Sequence, residues 1–300
     1  MIFRNSGGCG TGYELRVAVT AWQAAAQTGR HCGEARGIGY EVALLLARSG
    51  DTVIGFDRDE KGVARLREAL AQTGAPHFLS VLDVNDRRGV AKFRDAVLKQ
   101  FGVVHVVLSN AAVASFGSLE EAMLDEMGRS IQINVMGTAA VLMAFIPSMR
   151  RNGGGRLIAM NSFTGIVPFP FESVDTACHF AVQGLVRALR YEVEPFGIAV
   201  GLVEPSIVKT ELTAGIYGLP PAGSPYRNRI ERFIAKDREM KNKAMTAERA
   251  AQEIVRIIKG KRLKLHNRID PASAVFLAIE KFLPAGVTDG ILLGQMDIKP

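Results

Sequence analysis

Short apolar runs alternate with longer stretches of helical periodicity along most of the chain, and this alternation is the first structural signal. Leu15–Thr20 reads as a strand. Gly39–Ser49 reads as a helix, with apolar positions at Val42, Leu45 and Leu46 and a stop at Gly50. Thr52–Phe56 is a short buried strand that ends at Asp57, and Glu60–Thr73 is helical. His77–Leu82 is a strand ending at Asp83, followed by a helix over Asp86–Phe101. Val103–Leu108 is almost continuously apolar, as expected of a strand buried on both faces. Leu119–Met149 keeps helical periodicity up to the Gly153–Gly155 turn, and Arg156–Met160 is the next strand. A further helix opens near Ser173, with its amphipathic part over Phe180–Phe196, and Ala199–Val203 is another strand. This β-α order predicts an α/β fold: a doubly wound parallel sheet with right-handed crossovers.

Composition narrows the class. At 300 residues and 48% apolar, the chain is long enough for one large core. No repeat or low-complexity linker divides it, so a single domain over 1–300 is the economical reading. There is no run of about 18 consecutive apolar residues, so no membrane span is expected. The N-terminus lacks a compact apolar region behind a basic start, so no secretory leader is expected. Cys9, Cys32 and Cys178 are odd in number and lack metal-ligand spacing, which predicts a reducing, cytoplasmic setting and no metal. Net charge is +7, and Arg227–Arg268 alone holds 14 basic against 5 acidic residues. That segment reads as a solvated helical face. Charge is the only feature pointing to nucleic acid, so none is expected as a partner.

Ligands of such sheets sit beyond the C-terminal ends of the strands. Those ends hold Gly33–Gly39, Asp57, Asp83, Asn110, Ser162 and Pro205. Gly33, Gly37 and Gly39 precede a helix, where bare backbone can approach a pyrophosphate and the helix N-terminus favours its charge. Asp57, about 20 residues on, can accept hydrogen bonds from an adenosine ribose and repels a 2′-phosphate. This favours NAD; Arg36 and Arg58 pull the other way, toward NADP.

From Leu15 to Leu212 the chain resembles the short-chain dehydrogenase/reductase family. Cys32-Gly33-Glu34-Ala35-Arg36-Gly37-Ile38-Gly39 is similar to the family's Thr-Gly-x-x-x-Gly-Ile-Gly motif except at Cys32. Leu82-Asp83-Val84 resembles the adenine-contacting segment, and Ser109-Asn110-Ala111-Ala112 resembles Asn-Asn-Ala-Gly. Asn134 stands at the family's active-site asparagine and Ser162 at its catalytic serine. Pro205-Ser206-Ile207-Val208-Lys209-Thr210 resembles Pro-Gly-x-x-x-Thr beside the nicotinamide, with Ser206 for glycine. The resemblance implies a Rossmann-type core over 13–212 and a substrate lid with C-terminal helices over 213–300. It further implies an NAD(P) cofactor bound by these residues, including Ala111, Pro205, Ile207, Val208 and Thr210. The apolar Phe163–Phe171 loop then lines a pocket for an apolar alcohol or ketone, or packs in the core. Homo-oligomers are usual for the family. An apolar stretch at Ala274–Leu283 leaves room for peripheral membrane contact, with core or oligomer packing the stronger reading.

Two departures matter. Residues 21–32 intervene between the first strand and the glycine turn, where the family runs straight on. The Tyr-x-x-x-Lys pair expected 13 residues after the serine is also missing: Asp175 stands for the tyrosine and His179 for the lysine. No tyrosine lies between Ser162 and Tyr191 and no lysine between Lys99 and Lys209, so a shifted register does not restore the pair. A phenol titrates near ~10 and an aspartate near ~3.9, so an exposed Asp175 has no proton to give at neutral pH; burial must raise it first. Three readings follow. The pair is a new acid–base dyad, or weak chemistry persists through cofactor and Ser162, or catalysis is lost. The residues favour loss, so the expectation is an oxidoreductase by descent with impaired catalysis. A non-catalytic nucleotide-binding or scaffold protein is the alternative.

Overall fold

The computed structural model describes residues 15–20, 25–26, 37–210, 220–270 and 282–298. Seven parallel strands form the central sheet: β1 (Arg16–Thr20), β2 (Thr52–Asp57), β3 (His77–Val81), β4 (Val106–Ser109), β5 (Gly155–Met160), β6 (Ile198–Glu204) and β7 (His266–Arg268). Their order is β7-β6-β5-β4-β1-β2-β3. The order reverses at β1, which pairs with β2 on one side (Arg16 opposite Thr52) and β4 on the other (Val17 opposite Val106). This is the doubly wound arrangement that the β-α alternation predicts, and its crevice opens beyond the ends of β1 and β4.

The helices are α1 (Ile38–Arg48), α2 (Glu60–Ala71), α3 (Arg87–Phe101), α4 (Leu124–Ser130), α5 (Thr138–Arg151), α6 (Ser173–Val193), α7 (Arg227–Asn242), α8 (Ala247–Lys259) and α9 (Ala285–Gln295). They cover both faces of the sheet. Val106 and Leu108 pack with α1, α2 and α8, while Val107 between them packs with α3, α5 and α6. Both faces are therefore dry, which is why β2 and β4 are buried at every residue and read as apolar runs. Aspartate side chains cap α2 (Asp59 from Lys61 N, 3.1 Å) and α3 (Asp86 from Gly89 N, 2.9 Å).

Three local differences separate the structure from the sequence pattern. The strand expected from Val103 begins only at Val106, because the Val103 amide turns back to the Phe101 carbonyl (2.8 Å). The helical stretch expected over Leu119–Met149 is a 3₁₀ turn at Leu119–Glu121 followed by one helix from Leu124 to Arg151. Its middle, Ile131–Gly137, is wound as a π-helix, a form frequent at functional sites. That 28-residue helix is long and apolar enough to cross a bilayer, but half of its most apolar window is buried, with Val141, Leu142, Phe145 and Met149 in the core. The third difference is at the far end of α6, which stops at Val193 and closes in a 3₁₀ turn at Glu194–Phe196; its start at Ser173 is as expected and puts Asp175 and His179 in its first two turns.

A separate apolar cluster roofs the C-terminal edge of the sheet. Val167 and Phe171, from the loop after β5, pack against Ile230, Phe233 and Ile234 of α7 and Leu292 and Met296 at α9. The Phe171 ring lies 5.9 Å from Phe233, edge to face. Its backbone has φ +63°, a left-handed conformation that costs an aromatic residue about 1–3 kcal/mol and is held by this packing. Part of the Phe163–Phe171 loop is thus core. Residues 213–219 of the expected lid and 274–281 of the expected apolar C-terminal stretch lie outside the described residues.

Candidate active site

Several residues read from the sequence as a nucleotide site come together at the ends of β2, β3 and β4. A shallow, open cleft lies there, lined among others by Asp57, Arg58, Asp83, Val84, Ala111 and Ile133. Asp57 is the last residue of β2 and only 3% exposed; its Oδ1 accepts from the Asp59 amide (2.9 Å). Asp83 likewise accepts from the Asn85 amide (2.8 Å), which stiffens the loop after β3. A Cβ on Gly137 would come within 2.9 Å of Val84 Cγ1, so glycine there lets the π-helix close against this wall. Gly37, Ile38 and Gly39 open α1, and no side chain among the described residues caps that end. The unpaired amides that begin a helix are thereby left for an anion. Asn110 follows β4 directly. Gly33 and Arg36 lie outside the described residues, as does most of 21–32. Of that insertion, Ala25–Ala26 pair in parallel with Val113–Ala114.

The second half gathers at the ends of β5 and β6. Ser162 has extended backbone, and its Oγ accepts from the Thr164 amide (3.2 Å) while its own proton stays available to donate. Pro205 is tied to the same loop, its carbonyl accepting from the Phe163 amide (2.9 Å). Beyond it, Val208-Lys209 pairs with Met245-Thr246, and the Ser206 amide donates to Asp270 (3.1 Å). These bonds fix Pro205–Thr210, including Ile207, beside Ser162. Asn134 is buried in the π-helix and does not face Ser162 with a spare polar atom. Its Oδ1 accepts from Val113 N and its Nδ2 donates to Val113 O, both at 2.8 Å.

Asp175 and His179 meet across one turn of α6, with Asp175 Oδ2 3.6 Å from His179 Nε2. The other ring nitrogen, Nδ1, lies 3.0 Å from Asn161 Oδ1. Both side chains are largely buried, at 14% and 12% exposure. Burial pushes the Asp175 carboxyl above the usual carboxylate range, and His179 opposes this only in part. Burial thus moves Asp175 in the direction a proton donor requires. Glu172, one residue before α6, is raised to about 8 by burial and by the neighbouring Asp175 and Asp237, with Lys241 opposing. Lys241 pairs with the buried Asp237.

Four polar residues here escape a reading of the sequence: Asn161, Glu172, Glu204 and His266. Glu204 ends β6, is 1% exposed, and pairs through Oε1 with His266 Nδ1 (2.8 Å) on β7. Only the β5-β6-β7 pairing brings these together, and the lone histidine at 266 carries no local signal. Among the described residues no group of three His, Cys, Asp or Glu side chains has metal-holding geometry.

Comparisons with known proteins agree with this geometry. Residues 31–217 match the short chain dehydrogenase family model. The chain is 33% identical over 200 residues to trans-4-hydroxycyclohexanecarboxylate dehydrogenase of Sinomonas cyclohexanicum, covering 64% of this chain and 77% of that protein. It is 35% identical over 194 residues to human 17-beta-hydroxysteroid dehydrogenase type 1, covering 63% of this chain and 58% of the relative. The fold overlays a short chain dehydrogenase/reductase from Burkholderia phymatum, solved in complex with NAD, with a TM-score of 0.73 at 23% identity, over 90% of this chain and 94% of that one. The strand order, the placement of Ser162 after β5 and the matched 31–217 segment lead to one conclusion: the chain belongs to the short-chain dehydrogenase family.

Proposed function

We propose that this chain is an NAD(P)-dependent oxidoreductase for an apolar alcohol or ketone whose turnover is impaired. The observation that carries the impairment is the placement of His179, whose Nδ1 lies 3.0 Å from Asn161 Oδ1 and whose Nε2 faces Asp175 Oδ2 at 3.6 Å. A lysine at this position holds the nicotinamide ribose in the family; His179 is shorter and already has Nδ1 taken up by Asn161. Asn134 is spent on the Val113 backbone in the same way. The residues present fit a dinucleotide: a helix start that no described side chain caps for the pyrophosphate, and a cleft with Asp57 at the ribose position. When bound, the cofactor supplies the hydride. Ser162 donates a hydrogen bond to the substrate oxygen, and Asp175, whose proton affinity burial raises, is the remaining candidate proton source. The buried, hydrogen-bonded Asp57 favours NAD over NADP.

The aromatic roof of Phe116, Phe163, Phe169 and Phe171 supports an apolar substrate. Both relatives described above are named for dehydrogenation of a ring alcohol, which points the same way. The buried free thiol of Cys178 is in keeping with a reducing, cytoplasmic setting. Exposed Leu124, Ile131, Met143 and Phe180 give the helix side an apolar surface that suits a second copy of the chain. A non-catalytic nucleotide-binding or scaffold role is the second reading, favoured by the same internal engagement of His179. The two part in one experiment. NADH reduction of a panel of cyclic ketones, slow but abolished by Ser162→Ala, supports the enzyme; NADH binding with no turnover of any substrate supports the scaffold.

A further inference from the structure

We infer that Asp270 is a positioning residue for the nicotinamide end of the cofactor: its side chain holds the Ser206 amide, and with it the segment Pro205–Thr210, beside Ser162. This rests on the reading that the segment receives the nicotinamide. The need for such a device lies in the strand pairing. β6 runs between β5 and β7, and its alternate residues face one neighbour or the other. On the β5 side, the Asn161 amide donates to Val203 O (2.8 Å) and the Phe163 amide to Pro205 O (2.9 Å). On the β7 side, the Leu202 amide donates to Leu265 O (2.7 Å), and the register runs on to Arg268 opposite Glu204. Pro205 has no N–H, so a ladder bond is lost and β6 ends at Glu204. Two residues further, the same register sets Asp270 opposite Ser206. There the Ser206 amide donates to Asp270 Oδ2 (3.1 Å). A side-chain oxygen takes the place that a strand carbonyl would have had.

The chain that carries Asp270 is itself fixed. Asn267 Nδ2 donates to Leu202 O (2.9 Å) and to Lys264 O (2.7 Å), which ties β7 to β6. Ile269 is buried in the same apolar cluster as Val203 and Val208. The held segment has a second anchor past Ser206, where Val208–Lys209 pairs in parallel with Met245–Thr246 at the start of α8. Ile207 stands between the two anchors. Among the described non-glycine residues only Phe171 and Asp297 have positive φ, so Ser206 replaces the family's glycine without backbone strain. Releasing Ser206 would free Pro205 and Ile207 together. Through the Phe163–Pro205 bond it would also reach the residue that follows Ser162. The cleft beside Asp57 and Asp83 is built on β2 to β4 and shares none of these bonds. Asp270 therefore acts on one end of the dinucleotide only.

The test is a pair of calorimetric titrations of the full chain, one with NADH and one with ADP-ribose, which keeps the nucleotide end and lacks the nicotinamide ring. Asp270→Ala should weaken NADH about 10-fold, as for one lost hydrogen bond to a charged group, and leave ADP-ribose at its wild-type affinity. Asp270→Asn, whose Oδ1 still accepts from the Ser206 amide, should keep most of the NADH affinity. If Asp270→Ala does not fold, Asp270→Ser, whose hydroxyl ends one atom short of the amide, takes its place with the same expectation. Equal weakening of both ligands marks a merely structural role and overturns the inference. So does an unchanged NADH affinity, or a loss in Asp270→Asn as large as in Asp270→Ala. A wild-type chain that binds NADH no better than ADP-ribose brings down the nicotinamide reading, and the inference with it. NADH tighter than ADP-ribose, with Asp270→Ala unchanged, sinks the inference alone. None of these readouts depends on turnover.

Discussion

The two halves of the site are built on neighbouring strands and treat their polar groups in opposite ways. At the ends of β2 to β4, no side chain among the described residues caps the helix start at Gly37, and the cleft beside Asp57 and Asp83 is open. At the ends of β5 and β6, the polar atoms answer one another: His179 with Asn161 and Asp175, Asn134 with Val113, Glu204 with His266. The first half is arranged to receive a ligand. The second pairs several polar groups internally, while Asn161 Nδ2, Thr164 Oγ1 and Glu204 Oε2 have no hydrogen-bond partner among the described residues. The two halves depend on different strand ends, so under the proposed function one can change while the other is kept.

The sharpest way to break this contrast is to restore the tyrosine and the lysine. Asp175→Tyr with His179→Lys should raise turnover of apolar alcohols at least ~10-fold, toward the ~10²–10⁴ that a positioned general acid contributes. Initial rates at saturating cofactor check it, and an unchanged rate with cofactor bound would place the fault elsewhere. Next in size is a stability effect confined to the second half. Glu172 binds its proton more tightly folded (about 8) than unfolded (about 4.5), so its contribution is full below the lower value and is lost as pH rises through the higher. Urea unfolding should show stability falling by on the order of 3 kcal/mol between about pH 5 and 8, with the slope removed in Glu172→Gln. In the first half, Asp57→Ala should narrow the preference for NADH over NADPH about tenfold, the loss of one charge-assisted hydrogen bond together with one repulsion. Arg58→Ala should weaken NADPH alone, by about threefold, as for an exposed ion pair. Equal weakening of both cofactors would show that Arg58 does not face the 2′ position.

The sheet is legible in the sequence because its strands are dry on both faces; Thr52–Asp57 needs no partner to be recognised. The nucleotide residues are legible because their spacing follows chain order, one per strand end. Other features leave no such trace. The π-turn at Ile131–Gly137 keeps the apolar spacing of an ordinary helix, so nothing marks that Asn134 turns to Val113. The start of α6 near Ser173 is legible, but not that Asp175 and His179 are largely buried there. Asn161 and Glu204 look like an ordinary loop residue and an ordinary strand end, and only the pairing of β5 with β6 makes them neighbours.

Fluorescence titration of the purified chain with NADH tests the contrast most directly. The account predicts saturable binding in the micromolar range, with NADPH weaker, because the nucleotide half is formed and open. No binding of either cofactor at millimolar concentration would contradict it, since both halves would then have been lost.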